Sequence, residues 1–412
     1  MTILIALALT MGPAPLAWTY RTGNYAWASA VSNNGRYVIA GSDDANVYFF
    51  DAHLSEGKPL WSYQTGGYVR HVAISKDGSR AAASDINGGV FVFQPFVPSR
   101  LVWSFRTSSP VGALAMSEDG HYLAVGDQGG TIYSVETTLP DPPVRPHTIP
   151  SGVLALSMSA SGFVAATAAG GGLYFFGNSS SHFGSDWIFE ADSSFPKLAM
   201  TREARHIVVG ANNGSVYFMD SSGQLVDRQI VKGAVSVLSI SETMNRLLVA
   251  SASGNVTLYS MRDRLEKLES FETSKPITAA VISENGERIA VAQLDGGISM
   301  FNQSLATRMW TFNAGGIVHS LSTSYSGRVT AAASDTGDIY VFDEAGCQRV
   351  NTTNWIGVLV AAVIVLAVLL VTWARRRRSN ESGDKEANRL RRHREIPKPD
   401  SASSGVRIFA EK

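Results

Sequence analysis

The residues best suited to chemistry in this 412-residue chain are carboxylates that recur along it: Asp43, Asp44, Asp85, Asp127, Asp295 and Asp335, joined by Asn212. Carboxylates gathered round one opening would bind a cation, an amine or a basic peptide segment. Most of them, however, stand in or beside Asp/Asn-Gly phrases, which tight hairpin turns use to reach positive φ whatever the ligand. Histidine offers less: His53, His71, His121, His147, His182, His206 and His319 show no HExxH or other short metal-ligand spacing. Only His71 and His319, expected near one end of the fold, invite comparison as a pair. Gly170 to Gly172 form a glycine cluster with no helix behind it, so a phosphate cradle is excluded. Cys347 is the sole cysteine, which rules out an intrachain disulfide and leaves a free thiol or a cross-link between chains. These residues point to no catalytic set, metal or cofactor, and the chain does not read as an enzyme.

The elements that must position these groups are repeats. A phrase such as Ser117 to Val135, SEDGHYLAVGDQGGTIYSV, reads as turn, strand, turn, strand. Equivalent phrases start at Ser32, Ser75, Ser117, Ser159, Thr201, Ser241, Ser283 and Ser324, with spacings of 43, 42, 42, 42, 40, 42 and 41 residues. An apolar run precedes each turn, and most copies open on a Trp-x-aromatic phrase: Trp18-Thr-Tyr20, Trp61-Ser-Tyr63, Trp103-Ser-Phe105, Trp187-Ile-Phe189 and Trp310-Thr-Phe312. Four strands per repeat follow. Nine residues after each turn Ser/Thr the residue is always small: Gly41, Ser84, Gly126, Ala168, Gly210, Ala250, Ala292 and Ala333. Strands converging on an axis require that, because bulk there would force neighbouring sheets apart. One such unit cannot cover both its apolar faces, so the copies must stack.

With these residues in view, the stretch from 18 to 343 resembles the β-propellers of the WD-repeat and quinoprotein (PQQ)-like superfamily. No copy carries a Gly-His dipeptide, and strands close with Phe50-Asp51 or Phe342-Asp343 rather than Trp-Asp, so the quinoprotein-like propellers are the nearer analogy. The resemblance implies an all-β, eight-bladed propeller of four-stranded antiparallel blades. The last repeat lacks an outer strand and Trp18 to Tyr20 stands alone before the first, so the N-terminal strand is expected to close the ring, pairing both exposed edges. It further implies one face, the top, that gathers the carboxylates above together with Tyr25, Tyr68, Lys232 and Lys275, while the Ser-x-x-Gly turns share the bottom.

Beyond the repeats the reading turns to membranes. Residues 1–17 have the layout of a secretory signal but carry no Lys or Arg, the alternative being a buried first strand. After a connector at 344–354, residues 355–373 are free of charge and match the length of a transmembrane helix, with tryptophan at both ends. Arg375 to Arg378 follow, which by the positive-inside rule makes the basic tail, 374–412, cytoplasmic and the propeller extracellular at the plasma membrane. The tail reads as disordered. Asn178, Asn213, Asn255, Asn302 and Asn351 begin glycosylation sequons on the outer side. The net charge of zero, with 12 Lys/Arg against 6 Asp/Glu from Arg375 onward, leaves the repeats mildly acidic, and nucleic acid is not an expected partner.

The function these features suggest is a surface-anchored binding or scaffolding module for a protein, peptide or glycan, held to the membrane by 355–373. The alternatives are an enzyme with a pocket at the channel mouth and an envelope-assembly factor. Oligomeric state is left open.

Overall fold

The repeated phrase folds as antiparallel strands because its apolar residues alternate. In the third copy Tyr122–Asp127 and Thr131–Glu136 pair with Leu123 opposite Val135 and Val125 opposite Tyr133. Successive side chains then face the two neighbouring sheets. The turn between these strands needs a residue with positive φ, which Gly130 supplies at 91°. Ala45 holds the same place in the first copy at 66°.

The computed structural model describes residues 13–345 apart from 55, 99, 140–141, 178–185 and 192. They form eight four-stranded sheets. Each inner strand packs against the inner strands before and after it, and the last returns to the first, which closes the ring. Blade 1 runs outward through Ala26–Val31, Tyr37–Ser42, Asn46–Asp51 and Trp61–Gln64. Blades 2 to 7 repeat this order, and blade 8 consists of Val318–Thr323, Val329–Ser334, Asp338–Asp343 and, as its outer strand, Leu16–Arg21.

That outer strand is the closure that strand counting calls for. Trp18 lies opposite Val341, Tyr20 opposite Ile339 and Arg21 opposite Asp338. Arg21 grips the Asp338 carboxylate with two bonds, Nε to Oδ1 at 2.9 Å and Nη2 to Oδ2 at 2.8 Å. Thr22 N donates to Gly337 O and Asp343 N to Pro15 O. Trp18, itself buried, then reaches the next blade, its ring tilted against Phe50 with centroids 5.0 Å apart and its Nε1 donating to Ala52 O at 3.0 Å. Trp187 and Trp310 make the equivalent bridge to Ser221 and Glu344, again 34 residues on. Three of the tryptophans that mark the repeats, Trp18, Trp187 and Trp310, thus stitch their outer strands to the following blade.

The column of small residues has an equally direct cause. A Cβ on Gly41 would lie 2.5 Å from Cγ1 of Val69, the first residue of the next inner strand. Gly126 and Gly210 meet Val153 and Val235 in the same way. Blade spacing is therefore set by contact between one blade's second strand and the next blade's first.

The expected fold class also included a C-terminal transmembrane helix, and this is corrected. Among the described residues no helix is long and apolar enough to cross a membrane, and 355–373, with the rest of 346–412, lie outside the described residues. The membrane as partner, the plasma-membrane location with its sidedness, and the signal and extracellular assignments are withdrawn together. Leu16 and Ala17, inside the segment read as a signal, belong to the closing strand. Cys347, Asn178 and Asn351 also fall outside the described residues.

Candidate functional site

The channel has two mouths, and the repeat puts one residue from every blade at each. At the upper mouth the position is a β-bulge. The pairing of the first and second strands skips a residue near the start of seven inner strands, between Ala26 and Ala28, Val69 and His71, and Val318 and Ser320 among them. A bulge leaves its extra residue unpaired and re-aims its side chain. In blades 8, 1 and 2 those residues are His319, Trp27 and Arg70; elsewhere round the ring they include Gly112, Leu154, Ser236 and Thr278.

These three side chains meet. The imidazole of His319 stacks on Trp27 with centroids 3.9 Å apart and 25° between planes, and the Arg70 guanidinium carbon lies 3.8 Å from the centroid of the Trp27 ring. Asp43 ties them down: its Oδ2 accepts from Trp27 Nε1 at 2.7 Å and from Arg70 Nη2 at 3.1 Å. Arg70 Nε stands 3.1 Å from the other carboxylate oxygen. A guanidinium over tryptophan contributes about 0.5–2 kcal/mol depending on desolvation. Burial holds the His319 imidazole below the usual histidine range, with Arg70 adding to the effect and Asp335 and Asp43 opposing it. These bonds and ring contacts hold the wedge together, and round it Tyr25 and Tyr68 present nearly half of their surface to solvent, at 49% and 45%.

The carboxylates singled out from sequence do not form a free ring. Asp43 is consumed by Trp27 and Arg70. Asp85 is buried and caps its own turn, accepting from Asn87 N and Gly89 N, as Asp127 does from Gly129 N and Thr131 N. Asp44 accepts from Gly23 N, Asn46 N and Tyr48 Oη; burial first, then this carboxylate, raises the Tyr48 hydroxyl above the ordinary tyrosine range. Asp295 is exposed and caps Gly297 N, Asp335 is half-buried, and Asn212 bonds Ser194. Lys232 is exposed, 4.0 Å from an equally exposed Glu272, and Lys275 is exposed as well. His71 does not join His319; it is half-buried beside the Val111 backbone, and burial keeps it below the usual range. Asn213, Asn255 and Asn302 engage Ser215 N, Thr257 Oγ1 and Ser304 N respectively.

What connects the top loops is backbone. Asp43 N donates to Tyr25 O, Ile86 N to Tyr68 O, Gln128 N to Pro110 O and Leu294 N to Pro276 O. Each blade thereby fixes the loop entering it to its own upper turn, so Tyr25 and Asp43, and Tyr68 and Ile86, move as units.

The lower mouth was missed from sequence. Its ring is the residue just after each turn Ser/Thr: Asn33, Lys76, Glu118, Ala160, Arg202, Glu242, Glu284 and Tyr325. Backbone bonds link neighbours round part of it, Tyr325 N to Asn33 O, Asn33 N to Lys76 O and Lys76 N to Glu118 O. Lys76 Nζ sits 2.7 Å from Glu118 and 2.8 Å from Glu284, reaching across to blade 7. Ala160, small in blade 4, lets Arg202 of blade 5 extend to Glu118 of blade 3 at 2.8 Å. Above them lies a cavity of about 240 Å³ walled by Met158, Met200 and Ile240. Glu242 borders it and pairs with no cation among the described residues; burial foremost, and the charges of Glu118, Glu284 and Glu203, hold its carboxyl above the usual glutamate range against one bond from Arg202 N. Reading the eight turns as a column at this one position is the signal that would have found the network. Among the described residues no group of three or more His, Cys, Asp or Glu is placed to hold a metal ion.

Comparison with known proteins corrects the nearer analogy. The model of the family "WD domain, G-beta repeat" matches residues 19–51, from the closing strand through the third strand of blade 1, so the family likeness found is to WD40 repeats. No curated protein sequence matches the chain. In solved structures the chain is similar to Saccharomyces cerevisiae Sqt1, at 11% identity and TM-score 0.71 over 80% of this chain and 99% of that one. Chaetomium thermophilum Sqt1, bound to the N-terminus of the ribosomal protein L10, gives 13% identity and 0.70 over 80% and 100%. The C-terminal WD40 domain of Sif2 gives 12% and 0.70 over 81% and 98%. At such identities the shared property is the fold: this chain has the architecture of an eight-bladed β-propeller of four-stranded sheets.

Proposed function

We propose that this propeller is a protein- or peptide-binding module whose partner docks on the upper channel mouth. The observation that carries the reading is the asymmetry of the bulge ring. A bonded Trp27–Arg70–Asp43 wedge occupies one sector, flanked by exposed Tyr25 and Tyr68, whereas Gly112, Ser236 and Thr278 leave much of the remaining rim small. Tryptophan and arginine held in place by their own bonds, beside exposed tyrosines, are the residue types that anchor protein interfaces, because the held pair has little side-chain entropy left to lose on binding. The Sqt1 propeller bound to a protein's N-terminus supports the reading as an instance of this architecture holding a protein segment. A catalytic pocket at the same mouth finds no support, since Asp43 is already neutralised by Arg70.

The test is affinity isolation with the full chain. Replacing Tyr25 and Tyr68 together by Ser removes the proteins that co-purify with the wild type and leaves the melting temperature unchanged. Replacing Leu54 and Met244, exposed on the lower side, does not. The reverse pattern would overturn the proposal.

A further inference from the structure

At the upper turn blade 4 differs from blades 2 and 3 and shares an alanine with blade 5, Ala211. In blades 2 and 3 a buried aspartate, Asp85 or Asp127, fills the space inside the turn. In blade 4 the same place is Ala168, followed by Ala169 and the run Gly170 to Gly172. The missing side chains leave a cavity of about 370 Å³, bordered by Ser151, Ala168, Gly172, Tyr174 and Glu190.

Two polar groups face this cavity without partners. In blades 1, 3 and 8 the corresponding tyrosine hydroxyl is engaged: Tyr48 with Asp44 at 2.6 Å, Tyr133 with Asp127 at 3.2 Å, Tyr340 with Ala314 O at 2.8 Å. Tyr174 Oη has no such bond among the described residues. Glu190, opposite Gly172 on the outer strand, is exposed and paired with no described cation, and among the described residues it is the only charged one bordering the cavity. Its charge is felt by Tyr174, whose hydroxyl is raised by burial first and by Glu190 second.

Blade 5 shows what fits over such a tyrosine. There the Arg228 guanidinium lies 5.1 Å from the centroid of the Tyr217 ring and donates to Ser215 Oγ at 2.8 Å. Register makes the correspondence exact in position: Tyr217 pairs with Arg228 as Tyr174 pairs with Ile188, and Ser215 stands where blade 4 has Gly172. Blade 4 thus keeps the aromatic ring, adds a carboxylate and lacks the guanidinium.

We propose that the blade 4 cavity is a specificity pocket that receives an arginine side chain of the partner, its guanidinium paired with Glu190 and lying against Tyr174. The charge pair and the ring supply the recognition, and the glycines supply the room. This deepens the binding-module reading and rests on it.

The experiment uses the full chain with 13C-labelled alanine methyls, titrated with Nα-acetyl-arginine methylamide and, separately, with its uncharged citrulline counterpart. The arginine probe shifts the Ala168 methyl signal saturably and the citrulline probe does not. Glu190→Gln weakens the response by about tenfold, as expected for one lost charge-assisted pair. Ile188→Arg, which supplies a guanidinium from within as Arg228 does, abolishes it. Both positions are exposed, so melting temperatures stay unchanged and confirm intact folding. Equal shifts with both probes, no shift with either, or an arginine response that survives Glu190→Gln would overturn the pocket. Partner capture through Tyr25 and Tyr68 without any arginine response sinks the pocket alone; an arginine response without partner capture sinks the module reading.

Discussion

Lys76 Nζ of blade 2 lies 2.8 Å from the Glu284 carboxylate of blade 7 and 2.7 Å from Glu118 of blade 3, so one ammonium ties together three blades at the lower mouth. The three side chains keep only 24–28% of their surface exposed, which screens them less than a surface pair. Lys76→Met, which keeps the stem and removes the charge, should leave Glu284 without its ammonium partner and Glu118 with Arg202 alone, and cost about 1–2 kcal/mol, between the values for exposed and buried pairs. Urea unfolding at moderate salt measures it. An unchanged midpoint would show the network to be ornamental.

Glu242 gives the same region a pH dependence. Its carboxyl is held above the ordinary range by burial and like charge, so the folded state binds its proton more tightly than the unfolded chain does. Its contribution to stability is then complete below the unfolded value and lost as pH rises through the folded one. Glu242→Gln should raise the melting temperature at pH 7, and the gain should vanish below the ordinary glutamate range. A variant equally stabilised at both extremes would exclude this cause.

The closing strand carries an opposite dependence. Burial works to raise Asp338, but its bonds from Arg21 and Thr336 and the charge of Arg21 together outweigh burial and keep the carboxyl below the ordinary aspartate range. That stability is present above the unfolded value and lost on acidification. Asp338→Asn should lower the melting temperature at neutral pH and leave it unchanged in acid.

Deleting residues 16–21 removes the strand altogether and should abolish cooperative melting, while Trp18→Ala alone should cost about 3–5 kcal/mol, as for other buried aromatics. A truncated chain that melts as sharply as the wild type would mean that the ring does not depend on its closure.

Gly41 tests blade spacing. Gly41→Val places a branched side chain against Val69 and should cost about 1–3 kcal/mol through overpacking. Leu54→Ser, on the lower surface, serves as the control and should change the denaturation midpoint little.

The ring and its closure can be read from sequence because they rest on columns of residue type. Small residues recur where one blade meets the next, as Gly41 does against Val69, and a missing outer strand at one end matches a spare strand at the other. The upper site is harder to see. Trp27, Arg70 and His319 owe their meeting to bulges, and a bulge is a backbone event that different residues occupy, so no residue pattern announces it. Asp85 and Asp127 draw attention in the sequence for the converse reason: each caps its own turn, and turns need caps wherever they recur. The lower network hides in a column whose members are chemically unlike, from Ala160 to Arg202, and makes sense only once consecutive copies become neighbours in space. The membrane expectation came from one uncharged stretch, 355–373, outside the described residues.

The central claim is that partners meet the upper mouth, and site-directed photo-cross-linking reads it most directly. A photoreactive phenylalanine analogue placed in the full chain at position 25 or 68 should capture the same partner protein, and Trp27→Ala should abolish that capture. The same analogue at position 54 or 244 should capture none. Capture from 54 or 244 but not from 25 or 68, or capture at 25 that survives Trp27→Ala undiminished, would contradict it.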